Sequence, residues 1–260
     1  MTTPTDEAVR PSPARMYDYF LHGDNNFPVD RAAGDQVIAR VGEMLTRDVV
    51  WENRKFLGRA VDALARAGVT QFIDVGAGLP SQENTHQVAQ RVRPDASVVY
   101  VDVDPVVAEY GATLIDDPST VRTVTADVRD PRSILEHPDT RAVIDFDRPV
   151  AVLLVAVLHF VTDEEDPAGI VSAFRDATVP GSALALSHLT TAGSPPEERA
   201  RMEEVYRNAT APMVFRDPDD IAALFDGYAM EAPGLVPTGA WRLEPRTPPT
   251  GRMLGAVARR

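Results

Sequence analysis

The sequence predicts an α/β protein built on a doubly wound, mostly parallel seven-stranded sheet behind an N-terminal helical cap. Three observations carry that expectation. From Gln71 onward, short β-branched apolar runs alternate with helix-like stretches, the pattern of a parallel sheet covered on both faces. The first run ends in Gly76-x-Gly78 and leads into a helix-like stretch. Before Gln71 the apolar spacing is helical.

Residues 1–70 read as a lid and helical cap, and 71–260 as the sheet domain that carries the chemistry. Near the start, Tyr17-Asp-Tyr-Phe-Leu-His-Gly-Asp-Asn-Asn-Phe27 gathers aromatics, amides and a glycine, with poor helix signals after Gly23. It reads either as a lid, with Asn25 and Asn26 bonding a ligand and Phe27 excluding water, or as a packed arm with an ordinary Asn-Asn turn. Asp30–Ala67 is expected to be helical, since Val37, Val41 and Leu45 recur every fourth residue and Phe56, Leu57, Val61 and Leu64 form a second apolar face.

Five parallel strands follow, at Gln71–Gly76, Ser97–Asp104, Arg122–Asp127, Val150–Leu158 and Ala183–His188. Pro80 suits the first turn of the helix after the first strand, and Val88 and Val92 continue it at i, i+4 spacing. After the fourth strand, Ile170, Val171 and Phe174 share a helical face that Pro180-Gly181 ends. Asp219–Phe225 reads as a further helix. Ala240–Leu243 and Met253–Ala258 are expected to close the sheet as an antiparallel pair across the Pro-rich loop EPRTPPTGR.

An apolar share of 44% and a charged share of 25% are those of a folded globular chain. No basic start with an apolar run behind it marks a signal peptide, and no run of about 18 apolar residues marks a membrane span, so a cytoplasmic protein is expected. The absence of cysteine excludes disulfides, thiolate nucleophiles and Cys-based metal sites. A net charge of −13 without a basic patch disfavours nucleic acid as a partner. His22, His86, His137, His159 and His188 are scattered, and no pair has metal-ligand spacing. Neither a G-x-S-x-G elbow nor a Walker-type loop occurs.

The chemistry concentrates at strand ends. In Asp74-Val-Gly-Ala-Gly-Leu-Pro80, glycines at a strand-to-helix turn permit positive φ and close approach of a ligand. A dinucleotide fingerprint would need a third glycine where Ser81 stands, and an acidic Asp74 suits a cationic ligand better than a pyrophosphate. Asp102, within the apolar run VVYVDVDP, is the first candidate to accept hydrogen bonds from ribose hydroxyls, with Asp104 second. Asp127 and the backbone of Val128 are placed to meet an adenine edge.

In this order, an acidic-x-Gly-x-Gly turn followed by acidic ends on the second and third strands resembles the class I S-adenosylmethionine-dependent methyltransferases. More narrowly, ARMYDYFLHGDNNFPVDRA, NRKFLGRAV, DVGAGLPSQENTHQVAQ, LLVAVLHFV and the closing GLVP…W resemble an actinobacterial group of S-adenosyl methyltransferases without an assigned substrate. The resemblance implies a Rossmann-like fold, S-adenosylmethionine as cofactor and a small-molecule acceptor. It also implies that Ala156 and Val157 line the cofactor and that His159 faces the reacting centre. There His159 serves either as general base or as a strand-end bystander, since methyl transfer proceeds largely through alignment. Two rivals share the cleft: a dinucleotide-dependent oxidoreductase and a non-catalytic binder of S-adenosylmethionine.

Overall fold

A computed structural model of the chain describes residues 10–79, 83–113, 115 and 117–260. The expectations for Pro80 and Ser81 lie outside the described residues. Three N-terminal helices, α1 (Pro13–Phe20), α2 (Pro28–Val41) and α3 (Glu43–Arg66), precede the sheet. Gly42, at φ +102°, breaks the expected helical run into α2 and α3. Tyr17–Phe20, read from sequence as part of a loop, forms the second half of α1.

The alternating region then runs β1 (Gln71–Val75), α4 (Thr85–Val92), β2 (Ser97–Asp102), α5 (Pro105–Thr113) and β3 (Val121–Thr125). It continues through α6 (Pro131–Leu135), α7 (Pro138–Val143), β4 (Ala151–Val155), α8 (Pro167–Asp176) and β5 (Ala183–Leu189). After α9 (Pro196–Tyr206) and α10 (Pro218–Ala223), the short β6 (Ala229–Met230) and β7 (Val236–Pro237) lead to β8 (Met253–Arg259). Eight of the ten α-helices among the described residues open on a proline, so the proline-rich composition punctuates helix starts, where a missing N–H costs nothing.

The sheet order is β3-β2-β1-β4-β5-β8-β6, with β7 also on β8. β1 to β5 are parallel and β8 runs antiparallel to β5, from Ala183↔Arg259 to Leu189↔Met253. Two expectations are corrected here. The sheet has eight strands rather than seven, because β6 and β7 share the outermost position, separated by a segment containing Pro233-Gly234 that cannot continue a ladder. Ala240–Leu243 is not the partner of β8: Thr238–Ala240 is a 3₁₀ turn, and Trp241 is buried edge-on against Phe56 at 5.5 Å between ring centroids.

The strands alternate their apolar side chains between two layers. Ile73, Val75, Val152, Leu154, Leu184 and Leu186 face α6, α8 and α10, whereas Phe72, Val98, Leu153 and Ala185 face α3 and α4. A third cluster joins α1, α2 and the start of α3 to α9 and the ends of β5 and β8. The helical cap is thereby fixed over the carboxyl ends of the central strands.

Candidate functional site

Those strand ends open into a cleft of about 440 Å³, within the range of about 300–1,000 Å³ typical of small-molecule sites. Its floor is formed by Asp74–Leu79, Asp102–Pro105, Ala126–Arg129 and Val155–Val157. Its roof is one face of α1 and the turn after it, with Ala14, Tyr17, Asp18 and Leu21 at helical spacing. Phe160, Val161, Thr210 and Ala211 close one wall.

Of the residues selected from sequence, Asp74, Gly76, Gly78, Asp102, Asp104, Asp127, Val128 and Ala156 all line this cleft. Gly76 and Gly78 have φ of +70° and +64°, where a side chain is strained. They differ in what surrounds them. A Cβ on Gly76 would lie 2.5 Å from Cγ2 of Val157, whereas one on Gly78 would meet nothing within 4 Å and would fill open space beside the cleft.

The carboxylates are held in distinct ways. Asp74 is buried and accepts a 2.6 Å hydrogen bond from Thr85 Oγ1, tying β1 to the start of α4; burial raises its pKa, with Thr85 and Arg54 opposing. Asp102 accepts from the N–H groups of Gly78 and Asp104, each at 2.9 Å. Its pKa is nevertheless pushed up to about 6, because burial outweighs those bonds. Asp104 is turned toward the roof, accepting from Arg15 Nη1 at 2.7 Å and Ser12 Oγ at 2.8 Å. Arg15 also donates to the fully buried Asp30 at 2.8 Å. Asp127 pairs with Arg129 at 3.1 Å at the outer edge.

Two expectations do not survive. Asn25 and Asn26 do not line the cleft: the Asn25 N–H and the Asn26 amide donate to Asp18 Oδ2 at 3.0 and 2.8 Å, and Arg31 donates to Asn26 Oδ1. Phe27 stacks under Arg15 rather than closing a pocket. His159 does not face the cleft either. A 3₁₀ turn at Leu158–Phe160 aims Phe160 at the cleft and leaves His159 buried, 3% exposed, against His188. Burial, with His188 and Arg216 nearby, lowers its pKa well below the usual imidazole range, so it stays neutral.

Several cleft residues escaped the sequence reading. Val103 leaves an apolar side chain 59% exposed beside Asp102. Asn53 links roof to floor: its Nδ2 donates to Tyr17 Oη at 3.0 Å, Ser187 Oγ donates to its Oδ1 at 2.6 Å, and the Ala156 N–H donates to Ser187 Oγ at 3.0 Å. Ala156 sits at φ +58°, a conformation costly for a non-glycine residue that this network helps to hold. One signal was present for Asn53, a polar residue sharing a helical face with Val50 and Leu57. Behind the wall, the buried Arg216 donates to the carbonyls of Leu158 and Val161 and to Asp163. Among the described residues no cluster of three His, Asp or Glu side chains could hold a metal ion.

The donor and acceptor set fits S-adenosylmethionine. Buried carboxylates favour a sulfonium and an ammonium, Asp102 retains lone pairs for hydroxyl donors, the space beside Gly78 admits a chain without a clash, and Val103 offers an apolar surface for a base.

Comparison with known proteins agrees. A family model described as S-adenosyl methyltransferase matches residues 3–260. The chain is 38% identical to a candidate methyltransferase from Thermobifida fusca, covering 98% of this chain and 96% of that one with a TM-score of 0.91. It is 35% identical to a DUF574 family protein from Streptomyces avermitilis, covering 98% and 99% with a TM-score of 0.91. The plantazolicin methyltransferase BpumL, solved with a triazolic desmethyl analogue and S-adenosylhomocysteine, is 10% identical over 95% of each chain and shares the fold alone, at a TM-score of 0.53. No curated protein matches the chain.

Proposed function

The chain belongs to the S-adenosyl methyltransferase family and is an S-adenosylmethionine-dependent methyltransferase, and from that premise we propose that its acceptor is a small molecule held under α1. The observation that carries this reading is the single continuous cleft shared by the acidic strand ends and the underside of α1. Its enclosure by helices α1 and α3 suits a compact acceptor better than a polymer.

In this reading Gly76 and Gly78 admit the methionine part, Asp102 holds the ribose hydroxyls, and Asp127 with the Val128 backbone meets the adenine. When bound, the cofactor supplies an electrophilic methyl group on its sulfonium. The chain's own residues orient and enclose. Ala156 and Val157 set the depth of the floor, Phe160 and Leu21 exclude water, and the Tyr17–Asn53–Ser187 network holds roof against floor. With His159 buried and neutral, rate enhancement rests on alignment rather than on an imidazole base. Residues 1–70 act as lid and cap and 71–260 as the cofactor-binding body, in a cytoplasmic setting. No helix among the described residues is long and apolar enough to cross a membrane.

The test is to incubate protein and S-adenosylmethionine with pools of small amines, phenols and carboxylates, and to follow S-adenosylhomocysteine formation. Turnover with a small molecule is the expected result. Turnover confined to protein or nucleic-acid substrates would overturn the small-molecule reading.

A further inference from the structure

We propose that Asp18 is an ammonium-binding group of the cleft, an inference that rests on reading this cleft as the methyl-transfer site. Asp18 lies on the cleft-facing side of α1, one turn beyond Ala14, and is only 4% exposed. Of the other four carboxylates that line the cleft among the described residues, two are ion-paired and all four accept hydrogen bonds within the fold. Asp74 is held by Thr85, Asp102 by two backbone N–H groups, Asp104 by Arg15 and Ser12, and Asp127 by Arg129.

Asp18 has no cation paired with it among the described residues, and the charge that acts on it is another carboxylate, Asp24. Only Oδ2 is engaged, by the Asn25 N–H and the Asn26 amide, which fix the orientation of the group. Oδ1 has no hydrogen-bond partner among the described residues. The position is costly in two ways. A buried carboxylate without a counter-ion is unfavourable, and Asp18 occupies the last turn of α1, where the helix dipole repels negative charge. Its pKa is accordingly raised, chiefly by burial. Such a cost persists where a ligand offsets it.

Gly23 supports this reading. A Cβ there would overlap the Asp18 carboxylate, although the Gly23 backbone is not in the left-handed region. Glycine is needed at this position for the carboxylate, not for the turn. A carboxylate oxygen so placed recognises an ammonium, and the cleft offers two sources: the α-amino group of the cofactor's methionine part, or an amine on the acceptor.

The experiment is calorimetric titration of the wild type, Asp18→Asn and Gly23→Ala. The ligands are S-adenosylhomocysteine and 5′-methylthioadenosine, which lacks the amino-acid part. Phenethylamine and its uncharged alcohol counterpart are then titrated into each protein saturated with S-adenosylhomocysteine. Asn at position 18 removes the charge, and Ala at position 23 displaces the carboxylate while keeping it charged.

If the cofactor supplies the ammonium, both variants lose about tenfold or more in affinity for S-adenosylhomocysteine, the effect of one charge-assisted hydrogen bond, and none for 5′-methylthioadenosine. If the acceptor supplies it, S-adenosylhomocysteine affinity holds, and a preference for the amine over the alcohol, present in the wild type, disappears in both variants. Equal weakening of both nucleosides, or variants that change neither nucleoside nor amine binding, would overturn the proposal. Failure of the wild type to bind S-adenosylhomocysteine at all would instead sink the cofactor reading beneath it.

Discussion

Nη1 of Arg216 lies 2.7 Å from Nε2 of His188 in the interior behind the cleft wall. A guanidinium cannot give up its proton there, so the ring must accept the bond and remain neutral. His188 Nδ1 in turn meets the Leu189 carbonyl at 2.6 Å, which fixes the tautomer. Burial, assisted by Arg216, lowers the His188 pKa from 6.5 to about 4.

The sign of the consequence follows from linkage. Between pH 6.5 and about 4 the unfolded imidazole binds protons that the folded one refuses, so stability is full above that window and is lost as the pH falls through it. His188 should account for about 3 kcal/mol of that loss. Urea unfolding from pH 7 to pH 4 should show the decline, and His188→Gln should flatten it; an equally steep decline in the variant would refute the assignment.

Arg216 also holds the segment that carries Phe160 and Val161. Arg216→Met would strand the carbonyls of Leu158 and Val161 and the ring nitrogen of His188 without a donor. The expected cost is roughly 3 kcal/mol or more, together with weaker S-adenosylhomocysteine binding from a loosened wall. Denaturant titration and calorimetry on the same sample measure both.

Asp102 predicts a pH dependence of opposite sense. Its pKa, raised from 3.8 to about 6, means that the fold keeps a proton which the unfolded chain releases, so this group's contribution to stability is full below 3.8 and is lost as the pH rises to about 6. If Asp102 holds the ribose as proposed, the hydroxyls donate to its ionised form, and S-adenosylhomocysteine affinity should increase as the pH passes upward through about 6. Asp102→Asn should weaken binding about tenfold or more and remove the inflection. Unchanged affinity in the variant would refute the ribose assignment.

The two glycines separate fold from ligand. Gly76→Ala drives Cβ into Val157 at positive φ and should destabilise by about 2–4 kcal/mol. Gly78→Ala costs only the conformational term, about 1–2 kcal/mol, but places a methyl beside the cleft and should reduce cofactor affinity more than stability. Equal stability losses in the two variants would contradict the geometry.

Arg15 bridges Asp104 on the floor and Asp30 in the cap. Asp104→Asn weakens the floor side of that bridge without stranding Asp30. It should speed both association and dissociation of S-adenosylhomocysteine while changing the equilibrium constant little, as for a loosened lid. Stopped-flow mixing reads the two rates; rates equal to wild type would show that α1 does not gate the cleft.

The sequence by itself determined the five parallel strands, the glycine turn and the acidic strand ends. These are set by local rules: β-branched runs form strands, and a residue at a strand's carboxyl end reaches the same edge wherever the strand lies in the sheet. Asp74, Asp102 and Asp127 were legible for that reason. Only the tertiary structure decided which way the remaining polar side chains face. A single 3₁₀ turn moves His159 from cleft to core, and the fold of residues 21–27 spends Asn25 and Asn26 on Asp18. Asn53 reaches the cleft only because α3 packs where Tyr17 and Ser187 arrive from opposite sides. Likewise β8 pairs with β5, β6 and β7 and not with Ala240–Leu243, since Trp241 is worth more buried against Phe56 than exposed on an edge strand. Spacing along the chain fixes periodicity, but the direction of a side chain at a turn, and the partner of an edge strand, depend on surfaces that exist only once the core has formed.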